Sequence, residues 1–189
     1  MRPRLNPKLV KLLVLLVASV TVACAICGCD RASEVGLNPG DIAPDFSASL
    51  LDGRLVKLSE FSDKVVLLNF WATWCGPCAA EMPSLQRLHD RFKDKGFAVL
   101  AVAVDDQESN VRDFAKQYGL TFPIALDLSG LTKRPYKISG FPESLVLAKG
   151  NKLKMIADPE SRSPVVKIIG PREWDAPEAL SQIERLLSK

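Results

Sequence analysis

The chain has 189 residues, 47% of them apolar and 25% charged, which suits a folded protein and not a disordered one. At roughly 150 residues per domain there is no room for two full domains. Four of the 25 basic residues, Arg2, Arg4, Lys8 and Lys11, lie in the first eleven positions; without them 21 basic residues face 22 acidic ones. A near-neutral body has no electrostatic footprint for nucleic acid.

In chain order, the basic start is followed by an apolar run over 12–26, about the length of a signal h-region. With its flanks it approaches the roughly 20 residues that span a bilayer, so an uncleaved anchor competes with cleavage. The segment Ile26-Cys27-Gly28-Cys29 resembles a bacterial lipoprotein box with Cys29 as the acylated residue; Thr21-Val22-Ala23-Cys24 is a poorer match. Choosing Cys29 leaves one acylated cysteine and two that can pair. In either case the positive flank stays inside and the body faces the far side of the membrane. Residues 1–29 are therefore expected to be a signal peptide with a lipoprotein box, or a signal anchor. Residues 30–39 form a polar linker, and 40–189 the folded domain.

Within the body, Leu50-Leu51-Asp52-Gly53-Arg54 is a turn between two short extended pieces. The apolar, β-branched run 65–72, broken only by Asn69, predicts a strand buried on both faces. Over 75–95 the spacing is helical, with Met82, Leu85, Leu88, His89 and Phe92 on one face and Gly96 as the stop. A second buried strand is expected over 97–104, a helix over 111–118 ending at Gly119, and a short strand over 122–126. Residues 144–148 and 152–156 flank Lys149-Gly150-Asn151 as a hairpin, and a last helix covers 177–187. The stretch 157–163, with Pro159, reads as a surface loop. Strand–helix–strand alternation implies an α/β core with right-handed crossovers.

The chemistry lies in Trp74-Cys75-Gly76-Pro77-Cys78. Two thiols at this spacing are also half of a zinc site, but a closed site needs four ligands. The chain has no second pair, and its one histidine, His89, sits on an apolar stripe. A purely structural disulfide is the blander alternative, yet so small a loop restrains the unfolded chain little. The pair follows a buried strand and opens a helix. Unpaired N–H groups and the axial dipole there favour an anion, lowering the pKa of Cys75. Cys78, one turn further in, is shielded. An exposed nucleophile and a buried resolver are thus expected to exchange disulfides with a substrate. Pro77 fits the first turn, where its missing N–H has no partner anyway.

The run from Asn69 to Cys78 resembles the active-site segment of the TlpA/ResA-like thiol–disulfide oxidoreductases of the thioredoxin superfamily. Further matches are Gly40 to Phe46, Asp52-Gly53 through Leu58, Glu81-Met82-Pro83, Tyr136 to Pro142, and Gly170 with Trp174. The resemblance implies a thioredoxin fold with an N-terminal β-hairpin and an inserted helix–strand unit. It also implies that Pro142 is cis after Phe141 and faces the dithiol, the preceding backbone pairing with an extended client. Trp74, Gly76, Pro77, Phe141 and Pro142 would then form the client-binding surface. Asn69 stands where thioredoxin has a buried aspartate, which leaves Glu81 as either a partly buried proton acceptor or a solvated helix residue. Trp71 and Trp174 are expected in the core; Glu143, where relatives more often carry Thr, could tune substrate choice or be neutral.

By the same resemblance the protein needs no cofactor and no metal. It would reduce disulfides outside the cytoplasm, in apocytochromes c before haem attachment or in copper-site proteins of an oxidase. Its electrons would come from a membrane protein of the DsbD/CcdA kind. The Gly-Pro dipeptide resembles that of thioredoxin, at roughly −270 mV, more than oxidants at about −120 mV. The alternatives are a disulfide-forming oxidant, a thiol peroxidase and a copper chaperone. A peroxidase would want its threonine three residues before the nucleophile, where Ala72 stands beside Thr73; related copper carriers use a wider cysteine spacing and a distant histidine.

Overall fold

The computed structural model describes residues 37–105 and 107–189. The expected signal segment, lipid-acceptor Cys29 and most of the linker lie outside the described residues.

Two strands form the centre of the sheet because their residues are apolar on both faces. β3 (Val65–Trp71) and β4 (Phe97–Ala103) are buried along their whole length and run parallel, Val65 opposite Phe97 and Trp71 opposite Ala103. Alternation then sorts their side chains. Val65, Leu67 and Trp71 face one core cluster, and Val66, Leu68 and Phe70 the other. Asn69 shares the first face, which is covered by α1 (Gly76–Phe92) and α3 (Pro177–Leu187) through Met82, Leu85, Leu88, Phe92, Ala179 and Ile183. Tyr136, Val56, Leu58 and Phe61 cover the opposite face.

β1 (Ser47–Leu50) and β2 (Leu55–Lys57) make the expected N-terminal hairpin. α2 (Glu108–Tyr118) and β5 (Ile124–Leu126) make the inserted unit, with β5 parallel to β4 on one side and antiparallel to β1 on the other. β6 (Glu143–Ala148) lies antiparallel to β3, and its outer edge is shared by β10 (Lys167–Ile169) and β7 (Lys152–Lys154). The sheet order is β10-β6-β3-β4-β5-β1-β2.

Boundaries differ from the sequence expectation where periodicity is silent. α2 begins at Glu108, not Val111, because its first turn is polar and exposed, so no apolar residue marks it. It ends as expected at Gly119, whose φ of 62° is left-handed and whose N–H caps the last turn. β5 starts only after Pro123, which cannot donate to the ladder. The arm expected over 152–156 breaks at Met155: β8 (Ile156–Ala157) leaves the main sheet and pairs with β9 (Pro164–Val165), so 158–163 becomes the turn of a separate small hairpin. α1 runs unbroken through Pro83.

Candidate active site

Cys75 is the N-cap of α1, and its Sγ accepts the backbone N–H of Cys78 at 3.2 Å. The two cysteines form a disulfide, S–S 2.14 Å. Pro77 occupies the first turn as expected. A side chain that receives an otherwise unpaired helix N–H here stabilises negative charge on sulfur. Cys78 is fully buried, whereas Cys75 keeps 6% of its surface accessible. The order of exposure is the expected one, but Cys75 is more covered than an exposed nucleophile would be, because its side chain folds back over the helix mouth. The turn from β3 into α1 is pinned by Asp105 at the end of β4. Its buried carboxylate accepts the Thr73 N–H at 3.1 and 3.2 Å and the Thr73 hydroxyl at 2.5 Å.

The Phe141–Pro142 peptide is cis. Phe141 meets Trp74 edge to face, ring centroids 5.7 Å apart, which brings the proline turn to the dithiol side of the molecule. Trp74 is 69% exposed. Beside this pair opens a cleft of about 390 Å³ lined by Val104, Asp105, Leu128, Lys133 and the two rings. Glu143, directly after the cis-proline, is buried. One of its oxygens accepts Ser139 N–H, Ser139 Oγ–H and Gly140 N–H at 2.8–3.2 Å, and the other pairs with Lys167 Nζ at 2.7 Å. Burial alone would raise its pKa, but Lys167 and Ser139 outweigh it and hold the carboxyl below the usual range. Glu143 thus clamps the loop that leads into Phe141.

Glu81 is not a solvated helix residue: it is 1% exposed. Asn69 Nδ2 donates to Oε1 at 2.8 Å, while the Arg172 backbone N–H and Trp174 Nε1 donate to Oε2, both at 3.2 Å. Loss of water dominates, and the carboxyl is pushed up to about 7 despite these donors. Glu81 follows Cys78 by three residues on one helix, the spacing of side-chain neighbours. A carboxyl whose pKa burial raises toward neutrality, three residues along the helix from Cys78, can take and return a proton.

A family model described as the AhpC/TSA family matches residues 39–156. Thiol-disulfide oxidoreductase ResA of Bacillus cereus is 34% identical over 148 residues, covering 78% of this chain and 86% of that one. The ResA of Geobacillus thermodenitrificans is 40% identical over 117 residues, or 62% and 67%. Among solved structures, a Chlorobium tepidum protein assigned as thiol:disulfide interchange protein DsbE superposes with a TM-score of 0.69 at 34% identity, covering 80% of this chain and 99% of that one. The chain belongs to the AhpC/TSA family, as a ResA-like thiol–disulfide oxidoreductase of thioredoxin fold.

In this oxidoreductase the residues singled out from the sequence gather at one end of the sheet. Trp74, Cys75, Gly76, Pro77 and Cys78 form the turn and first helical turn, Phe141, followed by the cis-Pro142, faces Trp74, and Glu81 is buried one turn further along the helix. Cys29 lies outside the described residues. Trp71 is core, at zero exposure; Trp174 is buried too, but its indole N–H serves Glu81, so packing is only half of its role. His89 belongs to the buried stripe of α1, roughly 20 Å along the axis from Cys75, too far to share a metal with it. Among the described residues no cluster of His, Cys, Asp and Glu could hold a metal ion, and no helix is long and apolar enough to cross a membrane.

Sequence patterns did not reveal Asp105, Ser144 or Arg172. Asp105 had a weak signal, an acid closing a buried strand. Arg172 had none, since its contact with Glu81 spans 91 residues.

Proposed function

We propose that this oxidoreductase is a membrane-tethered, extracytoplasmic reductant of protein disulfides, acting through Cys75 and Cys78. The Cys75 thiolate attacks one sulfur of a client disulfide; the client's other sulfur leaves as a thiolate and takes a proton from water. Cys78 then passes its proton to Glu81 and attacks Cys75, closing the Cys75–Cys78 disulfide and releasing the second client sulfur as a thiolate, which takes up the proton Glu81 holds. The client leaves as a dithiol, so two electrons have moved from protein to client. A membrane dithiol donor of the DsbD/CcdA kind restores the pair.

The observation that carries this reading is the asymmetry at the helix mouth: Cys75 Sγ receives the Cys78 N–H while Cys78 itself is sealed. Trp74, Gly76, Pro77, Phe141 and the cis-Pro142 would receive an extended client segment, consistent with the exposed Trp74 ring against Phe141. The apolar leader supports export, and Cys29 is the residue that would carry the lipid, or 1–29 would remain as an anchor. Clients of the class expected from the family resemblance are apocytochromes c and copper-site proteins of an oxidase.

The decisive experiment expresses Cys78→Ala in native membranes and identifies what is attached. Mixed disulfides through Cys75 to such clients are expected. Cys75→Ala should abolish reduction. Trapping through Cys78 would reverse the assignment, and wild-type protein that oxidises reduced clients faster than it reduces oxidised ones would establish the opposite direction.

A further inference from the structure

The proton that Glu81 would accept has few places to sit. Oε2 already receives two donors, Arg172 N–H and Trp174 Nε1–H. A hydrogen on that oxygen would point at other hydrogens. Oε1 faces a single donor, Asn69 Nδ2, at 2.8 Å. The same nitrogen donates its second hydrogen to Ser144 Oγ at 2.9 Å, because Asn69 and Ser144 are paired directly across β3 and β6. Asn69 is fully buried, and its Oδ1 has no hydrogen-bond partner among the described residues. A buried amide with both hydrogens engaged and its oxygen orphaned is suited to one charge state of its neighbour.

We propose that Asn69 is a positioning residue whose carboxamide turns over when Glu81 takes up a proton. With Glu81 ionised, Nδ2 donates to Oε1 and to Ser144. With the proton on Oε1, the turned amide offers Oδ1 in that place, accepting from Glu81 Oε1–H and from the Ser144 hydroxyl, whose hydrogen is free to rotate. Two hydrogen bonds are exchanged for two, and the orphaned atom changes from Oδ1 to Nδ2. Rotation about the terminal sp³–sp² bond moves no other heavy atom far, and it lies on the soft torsion of the side chain. No bond to hydrogen is made or broken at Asn69; the only proton that moves is the one Glu81 gains.

Other charges near Glu81 do not replace this role. Arg172 is committed to Asp158 by contacts of 2.6–3.2 Å and pairs more loosely with Glu160 at 3.7 Å; Glu173 pairs with Arg87 at 3.8 Å, and both glutamates line the mouth of a small cleft that reaches Glu81 from the surface. Ser84, on the same helix, donates to the carbonyls of Glu81 and Arg172 and not to the carboxyl. The disulfide sulfurs carry no proton until reduced.

The inference rests on Glu81 as the proton acceptor of the exchange, and its test separates the two. In full-length protein in the disulfide state, the side-chain ¹⁵N signals of Asn69 and the carboxyl ¹³C signal of Glu81 are followed by NMR against pH. Both are expected to titrate with one midpoint near the neutral value set by burial, about 7, and Glu81→Gln is expected to leave the Asn69 signals flat. Asn69 signals that stay constant while the Glu81 carboxyl titrates overturn the turning amide and leave Glu81 as acceptor. Asn69 signals that follow the carboxyl, in a protein whose pH–rate profile is unchanged by Glu81→Gln, uphold the amide and remove Glu81 from the exchange.

Discussion

Glu81 carries a cost that shows as pH-dependent stability. Its pKa is about 7 in the folded protein against 4.5 for a free side chain. The folded state therefore binds the proton more tightly, and the stability this brings is fully present below pH 4.5 and lost as pH rises through 7. The gap corresponds to about 3 kcal/mol. Glu81→Gln should match wild type near pH 4.5 and exceed it by up to about 3 kcal/mol at pH 8, with the variation across that window gone. Urea unfolding at the two pH values measures it. Trp174→Phe removes one donor to the ionised carboxylate, so the Glu81 midpoint should rise, as read by NMR of the carboxyl. In the sequence Glu81 was ambiguous between two roles, since the spacing after Cys78 says nothing about what covers it. Asn69, the strand residue before the motif, and Trp174, 93 residues away, are what bury it.

Asp105 acts at the level of an element, joining the end of β4 to the turn that carries Trp74 and Cys75. Asp105→Ala leaves the partly buried N–H and hydroxyl of Thr73 without their acceptor and should cost about 1 kcal/mol in urea unfolding, with slower disulfide exchange. The apolar stripe of α1 behaves differently. Leu85 is fully buried, so Leu85→Ala should cost about 2–5 kcal/mol. That stripe was readable residue by residue, because apolar spacing is the same information that buries the helix face. The helix start was readable too, from Cys75-Gly76-Pro77-Cys78. β9 and β10 were not: two- and three-residue strands containing Pro164 and Lys167 have no period, and they exist because the edge of β6 and the arm of β8 were open to pair.

For the molecule as a whole, the 158–163 turn is tied to the segment before α3 by Asp158 and Arg172, a largely buried pair with a 2.6 Å contact. The hydrogen bonds from Arg172 hold the Asp158 carboxyl down at about 2, against 3.8 for the free side chain. That stability is present above pH 3.8 and lost as pH falls through 2. Asp158→Asn should cost about 2 kcal/mol at pH 6 and progressively less as pH falls through 2, measured by thermal unfolding across the range. Since the Arg172 backbone also serves Glu81, the small hairpin and the reactive centre share a support.

The sequence by itself determined the central strands, the helix that opens on the dithiol, and the identity of the two sulfurs, because each depends on spacing within a few residues. Only the tertiary structure decided that Glu81 is buried, that Asn69 stands opposite Ser144, and that Glu143 grips the loop before the cis-proline. Those facts depend on which strands become neighbours and on what water is shut out, and neither is a property of any short stretch of chain.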